Sequence, residues 1–260
     1  ATMATVEEIE TYFYDQLQIT ASAPMAGPYH MSGAQRQMLE NGINYPNPGY
    51  LPYVIFSYNK IYNLYNNLSE VFKTPYTNIE EMYNGNYSMW QINNYIWEIG
   101  QEYYDIDPND FSPISMFKDD YYQEYLINEN HPFRLALADN DVYYFEPTSP
   151  MRLLHCSGDD NVSFENAQNA YNYFLENNIQ NIELIDGGNY NHEQCAIIAI
   201  IGAKIWIDSY ADLCGNDTDL KKNSNILIEK VKTVDFLGRN ISNVFNPFNY
   251  KIDIFEDGTI

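Results

Sequence analysis

Two adjacent acids, Asp159 and Asp160, follow the apolar run of MRLLHCSGDDNVSF, residues 151–164, and His192 stands 33 residues after Asp159 in GGNYNHEQCA. A carboxylate that grips one nitrogen of an imidazole leaves the other nitrogen free to take a proton from a hydroxyl nucleophile. The acids come after a small-residue turn and the histidine after a glycine-containing bend, so both lie just past the end of a strand. Singly, an acidic turn usually only ends a strand, and a lone histidine is usually an ordinary surface or core residue. Jointly they are spaced for one helix and one strand between them, which sets their loops side by side.

The elements that must position this pair are two successive βα units. Residues 151–156 read as a strand, a helix follows near residues 164–177, IQNIELI is a second strand, and residues 193–210 form a second helix after DGGNYNH. Such alternation argues for a parallel sheet, whose ligands bind outside the carboxyl ends of the strands. At the start of the chain Val6, Ile9, Tyr12 or Phe13, and Leu17 recur at helical spacing opposite Glu7, Glu8 and Glu10. That amphipathic helix runs into ITASAPMAGPY, a short strand closed by Gly27 and Pro28.

From residue 35 to residue 140 tyrosine and asparagine crowd the sequence. Leu51, Val54, Tyr58, Ile61 or Tyr62, Tyr65 and Leu68 keep one helical stripe, and further helices are expected at residues 79–83, 89–99 and 119–127. The block reads as a helical insertion on an α/β scaffold, its tyrosines serving packing before substrate contact. A polar linker at residues 216–225 separates a tail with short β segments.

Charge narrows the partners. The chain of 260 residues carries 36 Asp and Glu against 13 Lys and Arg, a formal charge of -23, which repels phosphate backbones and anionic lipid headgroups. Nucleic acid is excluded as a partner. The apolar run CAIIAIIGAKIWI is interrupted by Lys204 and falls short of the ~20 residues that cross a bilayer, so no integral membrane segment is expected. A metal set drawn from His155, Cys156, Asp159, His192 and Cys195 is disfavoured, because neighbours on a strand point to opposite faces. DIDPNDFSP lacks the Gly and Glu of a Ca²⁺ loop. Neither metal nor other cofactor is expected. A bridge between Cys156 and Cys195 would brace the site in an oxidising compartment; the sequence leaves open whether the two pair. Ser22, Ser32, Ser157 and Ser163 lie near strand ends, and none sits in a glycine-flanked elbow; they read as structural or capping residues.

HCSGDDNVSFENAQ, followed by a helix, a strand and GGNYNHEQCA, resembles the end of an α/β-hydrolase domain, where an HG-x-x-D-x-x-V segment carries the triad acid and the next strand-end loop the histidine. The resemblance selects Asp159, three residues before Val162, as the acid and His192 as the base; Cys156 stands where the family often has Gly. ASAPMAGPYHMSG and NPGYLPYVIFSYNKIYNLYNN are similar to bacterial secreted lipase- and esterase-like members with a helical cap, so the resemblance covers about residues 1–210. It implies an incomplete α/β-hydrolase, the C-terminal half of a mostly parallel sheet: residues 1–34 and 141–215 as core, 35–140 as cap or lid, and 216–260 as linker and β appendage. The family's nucleophile elbow, Gly-x-Ser-x-Gly, precedes the helix with which this chain begins, and that motif is absent from all 260 residues. The resemblance therefore places the serine, the oxyanion donors and the first half of the sheet upstream, and makes the 260 residues inactive alone. It implies a serine hydrolase of carboxylic esters with a small-molecule ester or lipid substrate. A peptidase of the same fold and a non-catalytic binding protein are the alternatives. KVKTVDFLGRN with YKIDIFEDGTI is similar to the sorting domain of bacterial type IX secretion, without its basic ending, which implies secretion machinery as a partner and a secreted or cell-surface location.

Overall fold

The computed structural model describes residues 1–42 and 44–210 and, further on, the strands Lys230–Val234 and Ile252–Phe255. The chain divides into two units, Ala1–Ala211 and Asp212–Ile260.

The first unit is built on a small parallel sheet. Strand β1 (Met151–His155) pairs with β2 (Ile182–Asp186) so that Leu153 faces Leu184 and His155 faces Asp186. Along the other edge of β1 run residues 22–25. The Ser22 N–H donates to the Pro150 carbonyl at 3.0 Å, Leu154 N–H donates to Pro24 at 3.0 Å, and Ala26 N–H donates to Leu154 at 2.9 Å. The short strand expected here is thus reduced to bridges at Ser22 and Met25, because Pro24 has no N–H to give between them.

Helices cover both faces of this sheet. Alternate residues of β1 point to opposite sides. On one side Met151 and Leu153 pack against Ala167, Ala170 and Phe174, the inner stripe of α7 (Glu165–Glu176), and against Met3 and Val6 of α1 (Thr2–Tyr12). On the other side Leu154 and Ala23 meet Ala199, Ala203 and Trp206 of α8 (His192–Asp208). The apolar stripe read into the opening helix is only half used: α1 stops at Tyr12, and Tyr12 and Leu17 are 69% and 53% exposed. Helix α8 is apolar on its outer side as well, where Ile197, Ile198, Ile200, Ile201, Ile205 and Ile207 are exposed beside the Lys204–Asp208 pair.

Between α1 and β1 lies a helical block: α2 (Arg36–Asn41), α3 (Tyr50–Tyr62), α4 (Met89–Tyr104), α5 (Asp119–Ile127) and α6 (Pro132–Ala138), joined by short 3₁₀ turns. It has its own core, in which Ile55, Phe72, Tyr76, Ile96, Phe111 and Phe117 are fully buried or nearly so. The stripe expected to run to Leu68 ends earlier, since Asn63 turns left-handed at φ 52° and closes α3. Helix α4 starts on a reciprocal cap between Ser88 and Gln91. Residues 79–83, expected as a helix, belong to the 3₁₀ segment Tyr76–Tyr83. Among the described residues no helix is long and apolar enough to cross a membrane.

In the second unit β3 (Lys230–Val234) and β4 (Ile252–Phe255) pair antiparallel, with Thr233 opposite Asp253. The polar linker, the D-x-L-G-R step at residues 235–239 and the D-G pair at 257–258 lie outside the described residues.

Candidate active site

Asp159 sits in the turn that follows β1. Its Oδ1 accepts the backbone N–H groups of Asn161 at 3.0 Å and Val162 at 2.8 Å, an Asx-type turn that fixes the carboxylate plane. This leaves Oδ2 for two imidazoles: His192 Nδ1 at 2.7 Å and His155 Nε2 at 3.2 Å. The Asp159 side chain is fully buried, whereas that of His192 is 33% exposed.

His192 is the first residue of α8, which Asn191 caps reciprocally with Gln194. That cap fixes the backbone from which the imidazole projects toward the β1 turn. Asp160 does not grip the ring: its Oδ1 accepts the backbone N–H of His192 at 3.2 Å, an anion placed at a helix N-terminus. His192 Nε2 makes no hydrogen bond among the described residues.

The charges follow from this geometry. Burial pushes the Asp159 carboxyl up, but hydrogen bonds from His155 and His192 and the N–H groups of Val162 and Asn161 outweigh it and hold the carboxyl well below the usual range. The hydrogen bond to Asp159 raises the pKa of His192 against the opposing effect of burial, and the negative charges of Asp159, Asp160 and Glu193 raise it further. The pair is an anion that stays ionised beside an imidazole made more basic than usual.

The rice cell wall degrading esterase LipA from Xanthomonas oryzae matches this structure with a TM-score of 0.67 at 24% identity, covering 81% of this chain and 56% of the esterase. A hydrolase-like protein from Legionella pneumophila gives 0.65 at 21% identity, covering 82% of this chain and 54% of its own. The fold is α/β-hydrolase-like. The chain spans little more than half the length of these structures. No family model and no curated protein matches it.

On this α/β-hydrolase-like scaffold two further links hold the Asp159 and His192 loops together. Cys156 and Cys195 are bonded, with Cα atoms 5.8 Å apart, a pairing that the sequence left open. Each lies three residues from Asp159 or His192, so the bridge ties the end of β1 to the first turn of α8. Gly187 makes room for it, since a Cβ there would stand 2.6 Å from Cys156 Sγ. For a separation of 39 residues, chain entropy gives the bridge about 4 kcal/mol. Replacing both cysteines with serine is expected to lower unfolding stability by roughly 2–4 kcal/mol in urea titration.

The second link is the close approach of Gly158 to the histidine loop. A Cβ on Gly158 would stand 2.5 Å from Asn189 Oδ1 and 2.9 Å from the backbone of Asn189 and Tyr190. Gly158→Ala must therefore push the two loops apart. The expected result is a fall of the His192 pKa toward its ordinary value as the bond to Asp159 lengthens, read by NMR titration of the imidazole.

The helical block also reaches into the acid loop. Tyr45 Oη and Gln35 Nε2 both donate to the Asn161 carbonyl, at 2.8 and 3.0 Å. Asn47 Nδ2 donates to Asn161 Oδ1 at 2.8 Å, and Asn93 Nδ2 from α4 donates to Asn47 Oδ1 at 2.7 Å. None of these five residues was singled out from the sequence; the asparagine-rich composition of the block was the only trace of them.

The serines behave as capping or structural groups. Ser163 Oγ accepts the Glu165 N–H, Ser32 Oγ donates to Asp141, and the Ser157 N–H donates to Asp186. None of these, nor Ser22, hydrogen-bonds His192. Among the described residues no group of three or more His, Cys, Asp or Glu could hold a metal ion.

Proposed function

We propose that the protein is a serine hydrolase of carboxylic esters in which Asp159 orients His192 and His192 activates a serine upstream of Ala1. The observation that carries this reading is the buried carboxylate 2.7 Å from Nδ1 of a half-exposed imidazole whose Nε2 is unoccupied among the described residues. Nε2 takes the hydroxyl proton as the serine oxygen attacks the ester carbonyl, then returns it to the departing alkoxide. Water repeats the sequence to release the acid. The Asp159 anion stabilises the imidazolium that forms in each half. No metal or other cofactor enters these steps.

Support for an upstream nucleophile comes from surfaces that the described residues leave open. The edge of residues 22–25 away from β1 has no ladder partner among them, and six isoleucines of α8 are exposed. A sheet continued past that edge would cover both. The likeness to an esterase favours an ester over a peptide as substrate. The helical block, residues 35–140, acts as a lid over the site, and residues 141–210 with 1–34 form the core beneath it; residues 211–215 of the expected core lie outside the described residues. The Cys156–Cys195 bridge fits an oxidising compartment, in keeping with a secreted or cell-surface protein that the 216–260 tail delivers to its secretion machinery.

The test is the full-length protein against a p-nitrophenyl ester and a fluorophosphonate label. Turnover with one labelled serine upstream of Ala1 is expected. Absence of both would sink the proposal and favour a binding protein on the same scaffold.

A further inference from the structure

His155 closes β1 and is 1% exposed, with the Phe164 ring edge-on at 5.6 Å. Its Nε2 lies 3.0 Å from the Val162 carbonyl oxygen and 3.2 Å from Asp159 Oδ2. Both neighbours are acceptors, so Nε2 carries the proton and Nδ1 is a bare lone pair. Among the described residues that Nδ1 is buried without a hydrogen-bond partner. Burying an unpaired ring nitrogen costs free energy that an aliphatic side chain would not. An imidazole kept here at that cost implies a task for its other nitrogen, and that nitrogen is aimed at the atom that holds His192.

We infer that His155 is a positioning residue for the proposed triad: its Nε2–H pins Asp159 Oδ2 in line with His192 Nδ1 and takes up part of the carboxylate charge. One oxygen then serves two imidazoles, one fully buried and fixed by β1, the other half-exposed and free to work at Nε2. Because the charge on Oδ2 is shared, the basicity of His192 is held back from what an unshared carboxylate would give it. The catalytic meaning of this rests on the function proposed above; the shared oxygen and its effect on His192 do not.

The neighbours that also act on these groups are few. Asp160 from the acid turn and Glu193 from α8 act on His192, Asp186 from β2 acts with His155, and Tyr45 from the helical block faces Asp159. All of them remain in a His155 variant, so a change in the His192 titration reports on His155.

The experiment is an NMR titration of the His192 imidazole in the 260-residue chain. Without the second donor Oδ2 becomes a stronger acceptor and stabilises the imidazolium, so in His155→Leu the midpoint is expected to rise by about half a pH unit or more. In His155→Gln, whose amide N–H reaches the same oxygen, it is expected to stay at the native value. An unmoved or lowered midpoint in the leucine variant, or a glutamine variant that behaves like leucine, overturns the inference. If the leucine variant does not fold, the native chain decides. There His155 must be the Nε2-protonated tautomer, and its Nε2–H resonance must move as His192 titrates. A proton on Nδ1 instead, or a resonance indifferent to His192, overturns it. These readouts need no turnover, so a full-length protein without esterase activity would refute the proposed function and leave the titration to judge His155.

Discussion

His192→Ala in the full-length protein is expected to lower kcat on a soluble ester by about 10⁴- to 10⁶-fold while the thermal melt barely moves. The size of the loss follows from the geometry: among the described residues the ring is the only group held by the buried Asp159 carboxylate that also turns a nitrogen outward. No other histidine can stand in. His155 is buried and its Nε2 is committed to Asp159 and the Val162 carbonyl, His30 bonds Asn169, and His131 is buried at the start of α6, where its Nδ1 accepts the Phe133 N–H. The fold survives because the side chain is partly exposed and its removal leaves Asp159 with three other donors, His155, Asn161 and Val162. On the proposed function, turnover of the native protein should also fall on acidification as His192 takes a proton, with the midpoint above the ordinary histidine value because the Asp159 hydrogen bond raises its pKa. Stability runs in the opposite sense for this residue. Its raised folded pKa contributes fully below the unfolded value of about 6.5, and that contribution is lost as pH rises through the folded one. Asp159, whose folded pKa is depressed, contributes above an unfolded value of about 3.8 and loses that contribution as pH falls toward the folded one. Unchanged turnover in His192→Ala would remove the site assignment.

What the sequence made legible was local and periodic. The βα units show through because β1, buried along most of its length, and α7, with one inner stripe, leave different patterns, and β1, α7, β2 and α8 lie within a few residues of the elements expected. The D-x-x-V spacing has a physical basis in the structure, where the Val162 N–H closes the turn on Asp159 Oδ1. What escaped was set by contacts between distant segments. Cys156 and Cys195 are 39 residues apart, and nothing local reveals that α8 lies against the end of β1. The Asn161 network joins residues more than 100 positions apart and leaves no periodic trace. His155 entered the sequence reading only as a member of a disfavoured metal set; that it is buried with its Nε2 facing Asp159 depends on the acid turn folding back over β1. Pro24 alone was a local cue of strand interruption.

Asp159→Asn and Asp160→Asn should separate by orders of magnitude although the two residues are neighbours. An asparagine at 159 can keep its carbonyl on the N–H groups of Asn161 and Val162, which turns its NH₂ toward both imidazoles. His155 Nε2–H then meets a donor and falls back on the Val162 carbonyl, 3.0 Å away. His192 has no such retreat. To accept the amide proton its Nδ1 must give up its own, the ring proton moves to Nε2, and that nitrogen can no longer take a proton from a hydroxyl; a loss of about 10⁴-fold in kcat is expected. The same variant should drop the His192 pKa, since the hydrogen bond that raises it is gone. At position 160 the oxygen that matters is retained. Oδ1 accepts the His192 backbone N–H at 3.2 Å and Asn161 Nδ2 at 3.3 Å, and an amide oxygen does both. Only a charge near the helix N-terminus is lost, worth about 1 kcal/mol or less and less than a factor of ten in rate. Parallel kcat measurements on the two variants check this, and equal losses would remove the assignment of Asp159 over Asp160 as the acid that governs the imidazole.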